Sequence, residues 1–307
     1  RPSGSVARGV GWSLGAAALA AGFLIPYRFA IESAPRLSAM TAMFVVAAAF
    51  NAAVAAAQGS RRGFGLDATA ARTAAVLAGC TIAGNAGIAF ALPTIGAGMT
   101  SAVMKAQVIL TPILAARFLG ERASRRLWVG ALLALTGFAA PQVAQAEGLG
   151  GAGGYLFALG AAAAFATMQI VTRRVIHAIQ PASVNTMRLV LAAAALHLTE
   201  AGRAVWALDL EAWLFAGLAG VLGPGLSRLS LMAALRHISP SITALIALVG
   251  PVLAFGLGFA FFGEAPTALE GAGAALILVG VIWPLLPELR RAGAIGRLRG
   301  ASRSRAR

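Results

Sequence analysis

The sequence predicts an all-α integral membrane protein in which ten transmembrane helices form two inverted five-helix repeats. Three observations predict this fold. Of 307 residues, 59% are hydrophobic and 11% are charged, and the mean hydropathy is +0.82. The apolar residues form ten long runs, and the two halves of the chain match each other. A soluble domain does not need so apolar a composition to fill its core, so a lipid bilayer is the expected environment.

Each apolar run is long enough to cross the hydrocarbon core as a helix, in which a single segment satisfies its own backbone hydrogen bonds. Because further spans follow the first, we expect no cleavable signal sequence. Because residue 1 is Arg, we expect a short segment to precede the numbered chain. The predicted spans are residues 10–31, 37–57, 72–92, 96–119, 126–143, 154–176, 182–200, 212–234, 239–262 and 268–287.

The arginines predict the orientation of these spans. With the N-terminus in the cytoplasm, eighteen arginines fall in inner segments and three, Arg28, Arg36 and Arg203, fall outside. Such a bias predicts a multi-pass protein of the inner (plasma) membrane with both termini cytoplasmic. Residues 288–307 then form a basic cytoplasmic tail near the anionic leaflet. Few aromatic or polar residues accompany the arginines, so no nucleic-acid partner is expected despite a pI near 11.9.

The two halves, residues 10–143 and 154–287, align without gaps over several stretches. "ALPTIGAGMTSAV" matches "ALRHISPSITALI" at an offset of 143 residues, and the same offset carries "FLGE" onto "FFGE". Since five is odd, the second half enters the membrane from the opposite side. Two inverted halves can exchange conformations and open a central site to alternate sides of the membrane. This organisation favours a transporter.

The same residues resemble a known family. In each half an "AL" opens the fourth helix, "GE" ends it, and a glycine-spaced apolar helix follows, which is similar to the EamA repeat of the drug/metabolite transporter superfamily. Pro251 and Arg188 stand where that family usually has proline and arginine, whereas Val108 and Met43 replace them in the first half. The resemblance covers about residues 10 to 287. It implies a ten-helix bundle with a central cavity lined by helices one, three, four, six, eight and nine.

Charges inside the spans indicate what could enter such a cavity. Lys105, the only lysine, remains within a predicted span together with Arg117, Arg188 and Arg228, while no carboxylate lies at membrane depth. An intramembrane charge costs about 2.5–3.5 kcal/mol even on the lenient insertion scale. We therefore expect Lys105, Arg188 and Arg228 to meet an anionic substrate that supplies the missing negative charge. Their repeat mates are Leu248, Met43 and Asn85, and an asymmetric substrate calls for such asymmetric groups.

A structural role for some of these cations stays open. Arg188 and Arg228 each lie within reach of a span end, where a long side chain can snorkel to the interface. Arg117, one turn from its helix end, suits an interfacial anchor. Lys105 is about 9 residues from one end of its span and 14 from the other, so neither surface is near.

Other residues complete the predicted site. Ser101 shares the helix face of Lys105, Ser227 precedes Arg228, and Asn85 is the repeat mate of Arg228, so all three are candidate substrate-binding residues. Helix-breaking residues at membrane depth mark gating or hinge positions, because unsatisfied backbone is tolerated only beside a cavity or another helix. These candidates are Gly223, Pro224, Gly225 and Pro251. Glu121 and Glu264 are expected to have structural roles at helix ends.

The sequence thus predicts a secondary transporter of a small carboxylated or anionic metabolite, such as an amino acid, an organic acid or a phosphorylated metabolite, acting in efflux or exchange. Efflux of organic cations is the alternative within transport, and a non-transporting scaffold or receptor is the alternative of another class. An enzyme is not expected, because no GxxxxGK[ST] loop occurs and the three histidines have no ligand spacing. We expect no metal and no cofactor. The sequence leaves open whether two copies form a homodimer.

Overall fold

The computed structural model describes residues 3–58, 68–144, 152–253, 256 and 267–304, and for some helical residues, Ser101 among them, only the backbone. Every regular element in these ranges is helical. The helices are α1 (Ser3–Gly22), α2 (Leu24–Ser33), α3 (Arg36–Ala57), α4 (Ala68–Met104), α5 (Gln107–Leu119), α6 (Arg125–Ala144), α7 (Ala152–Val175), α8 (Pro181–His197), α9 (Glu200–Arg203), α10 (Leu210–Gly220), α11 (Arg228–Leu235), α12 (Pro240–Ile246) and α13 (Ala268–Ser304). A 3₁₀ turn (Ala204–Ala207) follows α9, and a π-helical segment (Val221–Ser227) joins α10 to α11.

Within the described ranges, six segments are long and apolar enough to cross a membrane. They are Val6–Tyr27, Arg36–Ala57, Arg125–Ala144, Ala152–Val175, Leu210–Leu235 and Ala268–Pro287. Two shorter apolar helices, Gln107–Leu119 and Pro240–Leu253, accompany them. With α4 and α8 these segments are compatible with the ten-helix membrane fold that the sequence predicts.

Repeat-related helices pack against each other. The helices of spans two and seven, α3 and α8, share one apolar core with α2 and α10. The helices of spans five and ten, α6 and α13, share another with α5, α11 and α12. A third core joins α4, α7, α8 and α11. The interface between the two halves therefore includes two pairs of equivalent helices, although its most extensive contact joins the non-equivalent helices α4 and α7.

The inverted relation of the halves is visible where α6 meets α13. Gly130 contacts the backbone of Gly280, and Gly137 contacts the backbone of Gly273. By the repeat offset, Gly130 corresponds to Gly273 and Gly137 corresponds to Gly280. Gly130 therefore contacts the repeat mate of Gly137, and Gly137 contacts the repeat mate of Gly130, as residues do across a two-fold axis. A Cβ added to Gly137 would lie 2.5 Å from the carbonyl oxygen of Gly273, so this approach requires glycine.

Spans three and four differ locally from the prediction. The sequence predicts a short loop between residues 92 and 96, but α4 is helical throughout and the helix is interrupted later, at Lys105 and Ala106. The Thr94 hydroxyl donates to the carbonyl oxygen of Ala91 at 2.8 Å, which helps to satisfy the backbone there without a loop. The segment carries no charge that would draw it out into water.

Although α4 is helical along its whole length, its contacts with α7 require a sharp bend near Ile95. Gly154 at the start of α7 lies against Thr94 and Ile95, whereas Phe118 at the end of α5 shares a cavity with Arg174 at the end of α7. Gly154 and Arg174 lie about 30 Å apart along α7. If α4 were straight, Met104 would lie about 15 Å beyond the position of Gly154. The 13 residues of α5, which span about 20 Å, could then not return to Arg174. The two predicted spans therefore cross in opposite directions.

Candidate substrate-binding site

A central cavity of about 530 Å³ lies between the two halves. Spans one, three, four, six, eight and nine line it, as the resemblance implies, and span five adds Phe138 and Gln142. Most of its wall is apolar. The lining residues are Ser13, Ala16, Ala17, Ala20, Ala21, Phe23, Ile88, Met104, Lys105, Phe138, Gln142, Gln169, Ser227, Leu231, Thr243, Ala247, Gly250 and Pro251.

Lys105 lies on this wall, where the helical path of span four is interrupted. The backbone N–H of Val108 donates to the carbonyl oxygen of Lys105 at 2.9 Å, which is a tighter, 3₁₀-type step between α4 and α5. The second half has the same kind of interruption at Ala247 and Leu248, within one residue of the repeat-related position. Interrupted helices at corresponding positions of two halves are typical of a midplane binding site.

The depth of Lys105 agrees with a position far from either membrane surface. Counted from the bend near Ile95, Lys105 lies about 15 Å into span four, with about 20 Å of helix remaining to Leu119. A lysine side chain is too short to bring its ammonium group to water from the middle of a bilayer without help from a cavity. Its charge must therefore be accommodated within the bundle.

The ammonium group of Lys105 faces an aromatic ring. Its Nζ atom lies 5.6 Å from the centroid of Phe138, within the range of a cation–π interaction. Among the described residues, no hydrogen bond or ion pair joins the ammonium group of Lys105. Of the described residues that line the cavity, Lys105 alone is charged. One positive charge in an apolar wall is an arrangement that an anion would neutralise.

Ser227 and Pro251 also line the cavity, and the predicted hinge segment borders it. Gly223, Pro224 and Gly225 fall in the π-helical segment, as expected where a proline lacks the N–H that would continue the helical ladder. The Ser227 hydroxyl donates to the carbonyl oxygen of Ala16 at 2.8 Å and so ties this segment to α1. Its role as a hinge remains a prediction.

Arg188 is buried but does not line the described cavity. Its Nε donates to Oδ1 of Asn185 at 2.9 Å, and its Nη1 donates to the hydroxyl of Thr81 at 2.6 Å. Asn185 in turn donates to Oδ1 of Asn51 at 3.0 Å and to the carbonyl oxygen of Pro224 at 2.8 Å. Arg188 thus links α4, α8, α3 and the π-helical segment, which suits a structural role.

Arg228 and Asn85 lie outside the described lining as well. Arg228 donates from Nη2 to the Thr172 hydroxyl at 2.9 Å, and its buried Nε has no hydrogen-bond partner in the part of the chain that the structure describes. Asn85 donates to the carbonyl oxygen of Thr81 within α4. The side chain of Ser101 and all of Glu264 lie outside the described residues.

Two glutamines on the cavity wall are absent from the sequence prediction. Gln169 is 5% exposed, and its Oε1 lies 3.2 Å from the Thr243 hydroxyl. Gln142 lies one turn beyond Phe138 on α6. The signal that could have found Gln169 is the asymmetry already used for Lys105, because its repeat mate is the apolar Leu24.

The end of the bundle that carries Arg8, Arg173 and Arg236, hereafter the basic end, has polar contacts between helix ends. Arg173 donates to the carbonyl oxygen of Leu235, and its Nε lies 3.9 Å from a carboxylate oxygen of Glu121. These contacts join the ends of α5, α7 and α11. Partial desolvation, and secondarily the charges of Arg8 and Arg236, lower the pKa of His237 from its ordinary 6.5, which keeps this side chain uncharged at neutral pH.

A second cavity of about 530 Å³ lies between α3 and α8. Repeat-related residues such as Thr41 and Thr186 line it, together with valines and alanines, and it opens toward the outside of the bundle. Its described lining contains no Lys, Arg, Asp or Glu. Thr41, Thr186, His197 and Trp206 supply its polar atoms, but it offers no lysine or arginine for an anionic substrate, so the central cavity is the candidate site.

Comparison with known proteins gives one family and one fold. The sequence matches the model of the EamA-like transporter family over residues 7–140 and 152–286. None of the curated proteins compared with the chain matches it. A solved structure titled "Crystal structure of protein" resembles it with a TM-score of 0.79 and 19% sequence identity, covering 94% of this chain and 99% of the other. At that identity the structural likeness shows the fold alone.

Proposed function

The chain belongs to the EamA-like transporter family, and we propose that it carries a small carboxylated or otherwise anionic metabolite through the central cavity by alternating access. Membership of this family indicates a multi-pass membrane transporter. The direction is efflux or exchange, and the protein lies in the inner membrane with both termini in the cytoplasm. The charge distribution of the sequence supports this orientation.

One observation carries the choice of an anionic substrate. Lys105 holds its ammonium group on an apolar wall between the two halves, with the face of Phe138 as its described neighbour. Desolvating an ammonium group without a counter-charge is costly, and a bound carboxylate would remove much of that cost. A cationic substrate would instead meet repulsion from the same group. Lys105 is therefore the residue expected to attract and orient the substrate.

Uptake into proteoliposomes tests this proposal. The purified protein is supplied with labelled organic anions, amino acids, phosphorylated metabolites and organic cations, with protein-free liposomes as the blank. We expect anions to be carried and cations to be excluded. In the Lys105→Gln variant, uptake of the best anion should fall about tenfold or more at low concentration, because a hydrogen bond to a charged group contributes about 1.5–3 kcal/mol.

Arg117→Gln is the matched control. Arg117 is a cation on the same span and also lies 5.6 Å from an aromatic ring, that of Phe118, but it is exposed at the helix end and outside the cavity. Its substitution should leave uptake within about twofold of the parent protein, as is usual for an exposed charge. Efficient uptake of cations, or an unchanged anion uptake by Lys105→Gln, would refute the proposal.

A further inference from the structure

Gln169 is a buried polar residue on the cavity wall. It lies on α7, in the second half of the chain, whereas Lys105 belongs to the first half. Only 5% of Gln169 is exposed, and the Thr243 hydroxyl is 3.2 Å from one end of its amide. That hydroxyl also donates to the carbonyl oxygen of Pro240 at 2.8 Å, so Thr243 is fixed in place.

The other end of the Gln169 amide has no partner in the described part of the cavity. A primary amide offers two N–H donors and one carbonyl acceptor, and the two ends are distinguished only through their hydrogen bonds. Thr243 reaches one end. Whether that end is the oxygen or the nitrogen, at least one N–H remains for another group. Because Gln169 lines the cavity, this N–H is available to a ligand, and a ligand that accepts its hydrogen bond gains affinity.

The repeat separates this recognition group from the scaffold. Thr243 has a threonine, Thr100, as its repeat mate, whereas Gln169 has Leu24 and Lys105 has Leu248. The threonine is thus common to both halves, whereas Gln169 and Lys105 each correspond to a leucine in the other half. Such asymmetry is expected of residues that recognise a substrate with two different ends.

Charge balance restricts the substrate further. Lys105 supplies one positive charge to the described lining, and most of the remaining wall is apolar. A single carboxylate makes the filled cavity neutral. A dianion, such as a phosphate ester, would bring a second negative charge into an apolar environment. A zwitterion would bring its own ammonium group, so that one carboxylate would have to balance two positive charges. Either arrangement desolvates an uncompensated charge.

We propose that Gln169 is a specificity-determining residue, and that the substrate is a monocarboxylate with a neutral oxygen acceptor, a hydroxyl or a carbonyl, on an otherwise apolar body. This inference rests on the function proposed above. Lys105 binds the carboxylate, and Gln169 donates to the hydroxyl or carbonyl oxygen. The apolar wall accommodates the carbon skeleton.

The test compares derivatives of one skeleton in proteoliposomes. The series is hexanoate with its 2-oxo, 2-hydroxy and 2-amino derivatives and the dianion hexanedioate, repeated on four- and eight-carbon skeletons and on 3-phenylpropanoate. Protein-free liposomes correct for leakage. On the best skeleton we expect the oxo or hydroxy acid to exceed the parent acid in kcat/KM by about tenfold or more, because a site built to hydrogen-bond a substrate group discriminates strongly against analogues without it. The amino acid and the dianion should be poorer substrates than the oxo or hydroxy acid.

Gln169→Leu should bring the oxo or hydroxy acid to within about threefold of the parent acid, whose own kcat/KM should change little. Gln107→Leu removes a glutamine of span four that lies outside the described cavity lining and should retain the preference. Equal kcat/KM of the parent and its derivatives on every skeleton, or equal effects of the two leucine variants, would overturn the inference. If the specificity inference failed in this way but Lys105→Gln still abolished anion uptake, the proposed function would stand. If cations were taken up and Lys105→Gln had no effect, the proposed function and the specificity inference would both be overturned.

Discussion

The glycine contacts between α6 and α13 allow a sharp test of the inverted packing. We compare Gly280→Ala with Gly271→Ala, two substitutions in the same helix. An added Cβ at Gly280 would lie 2.5 Å from the carbonyl oxygen of Gly130 and 2.7 Å from the backbone nitrogen of Ala134. An added Cβ at Gly271 meets nothing within 4 Å. The same chemical change therefore has opposite structural consequences at the two positions.

The expected magnitudes follow from these distances. Non-bonded carbon atoms prefer about 3.5–4.0 Å, so α6 and α13 must separate by about 1 Å to admit the methyl group of Gly280→Ala. Overpacking of this kind costs about 1–3 kcal/mol. Alanine recovers about 1 kcal/mol of helix propensity at either site. We expect Gly280→Ala to be destabilised by about 1 kcal/mol and Gly271→Ala to be stabilised by about 0.5–1 kcal/mol.

The melting temperature of each variant in detergent micelles, followed by tryptophan fluorescence, measures the difference. Since 1 kcal/mol corresponds to about 2–4 °C in chains of 150–250 residues, the two variants should differ by about 3–8 °C. Gly137 is the repeat mate of Gly280, so Gly137→Ala should lower the melting temperature as Gly280→Ala does. If Gly280→Ala melted as high as Gly271→Ala, the close approach of the two backbones would be refuted.

Two further predictions concern the arginines. Arg188→Gln should lower the melting temperature, because hydrogen bonds to a charged group contribute about 1.5–3 kcal/mol each, while the anion-to-cation uptake ratio of the folded fraction stays unchanged; lost anion uptake at unchanged stability would contradict this structural role. A cysteine placed in the cavity by Ser13→Cys, in a protein whose own cysteine is removed by Cys80→Ser, reports on access from the basic end. A membrane-impermeant thiol reagent is added at that end, and the rate at which it modifies the reporter is measured. Arg173→Gln should increase this rate about tenfold. Arg174→Gln changes an exposed neighbour and should leave that rate unchanged, so equal rates in the two variants would show that Arg173 does not hold this end closed.

The sequence predicts the all-α membrane fold and its family because both are carried by strong one-dimensional signals. Apolar runs must be about 20 residues long to cross the bilayer, and the repeated glycines survive in both halves because backbones meet there. The interruption at Lys105 and Ala106 is not predictable in the same way. Neither residue is a proline or a glycine, so the 3₁₀-type step depends on tertiary packing rather than on a local signal.

The cavity could be predicted only in part. Depth along the membrane follows from residue counting, which is why the wall position of Lys105 fits the expectation. The direction in which a side chain points around the helix axis does not follow from residue counting, because these helices are apolar on all sides and have no polar stripe to orient them. The sequence therefore predicts Arg188 and Arg228 as substrate-binding residues beside Lys105, with a structural role left open because they lie nearer to span ends, whereas in the structure they hydrogen-bond between helices. Gln169 carries no charge, so a search for intramembrane charges passes over it.

The charge of Lys105 can be tested most directly with an anion and its neutral amide on one skeleton. The parent protein and the charge-retaining Lys105→Arg variant should both prefer the carboxylate in kcat/KM, the parent by about tenfold or more, and Lys105→Gln should carry the two compounds about equally. Because the amide keeps the shape of the carboxylate, the comparison isolates the electrostatic contribution. If Lys105→Gln retained the full preference for the carboxylate, Lys105 would not be the group that binds the anion.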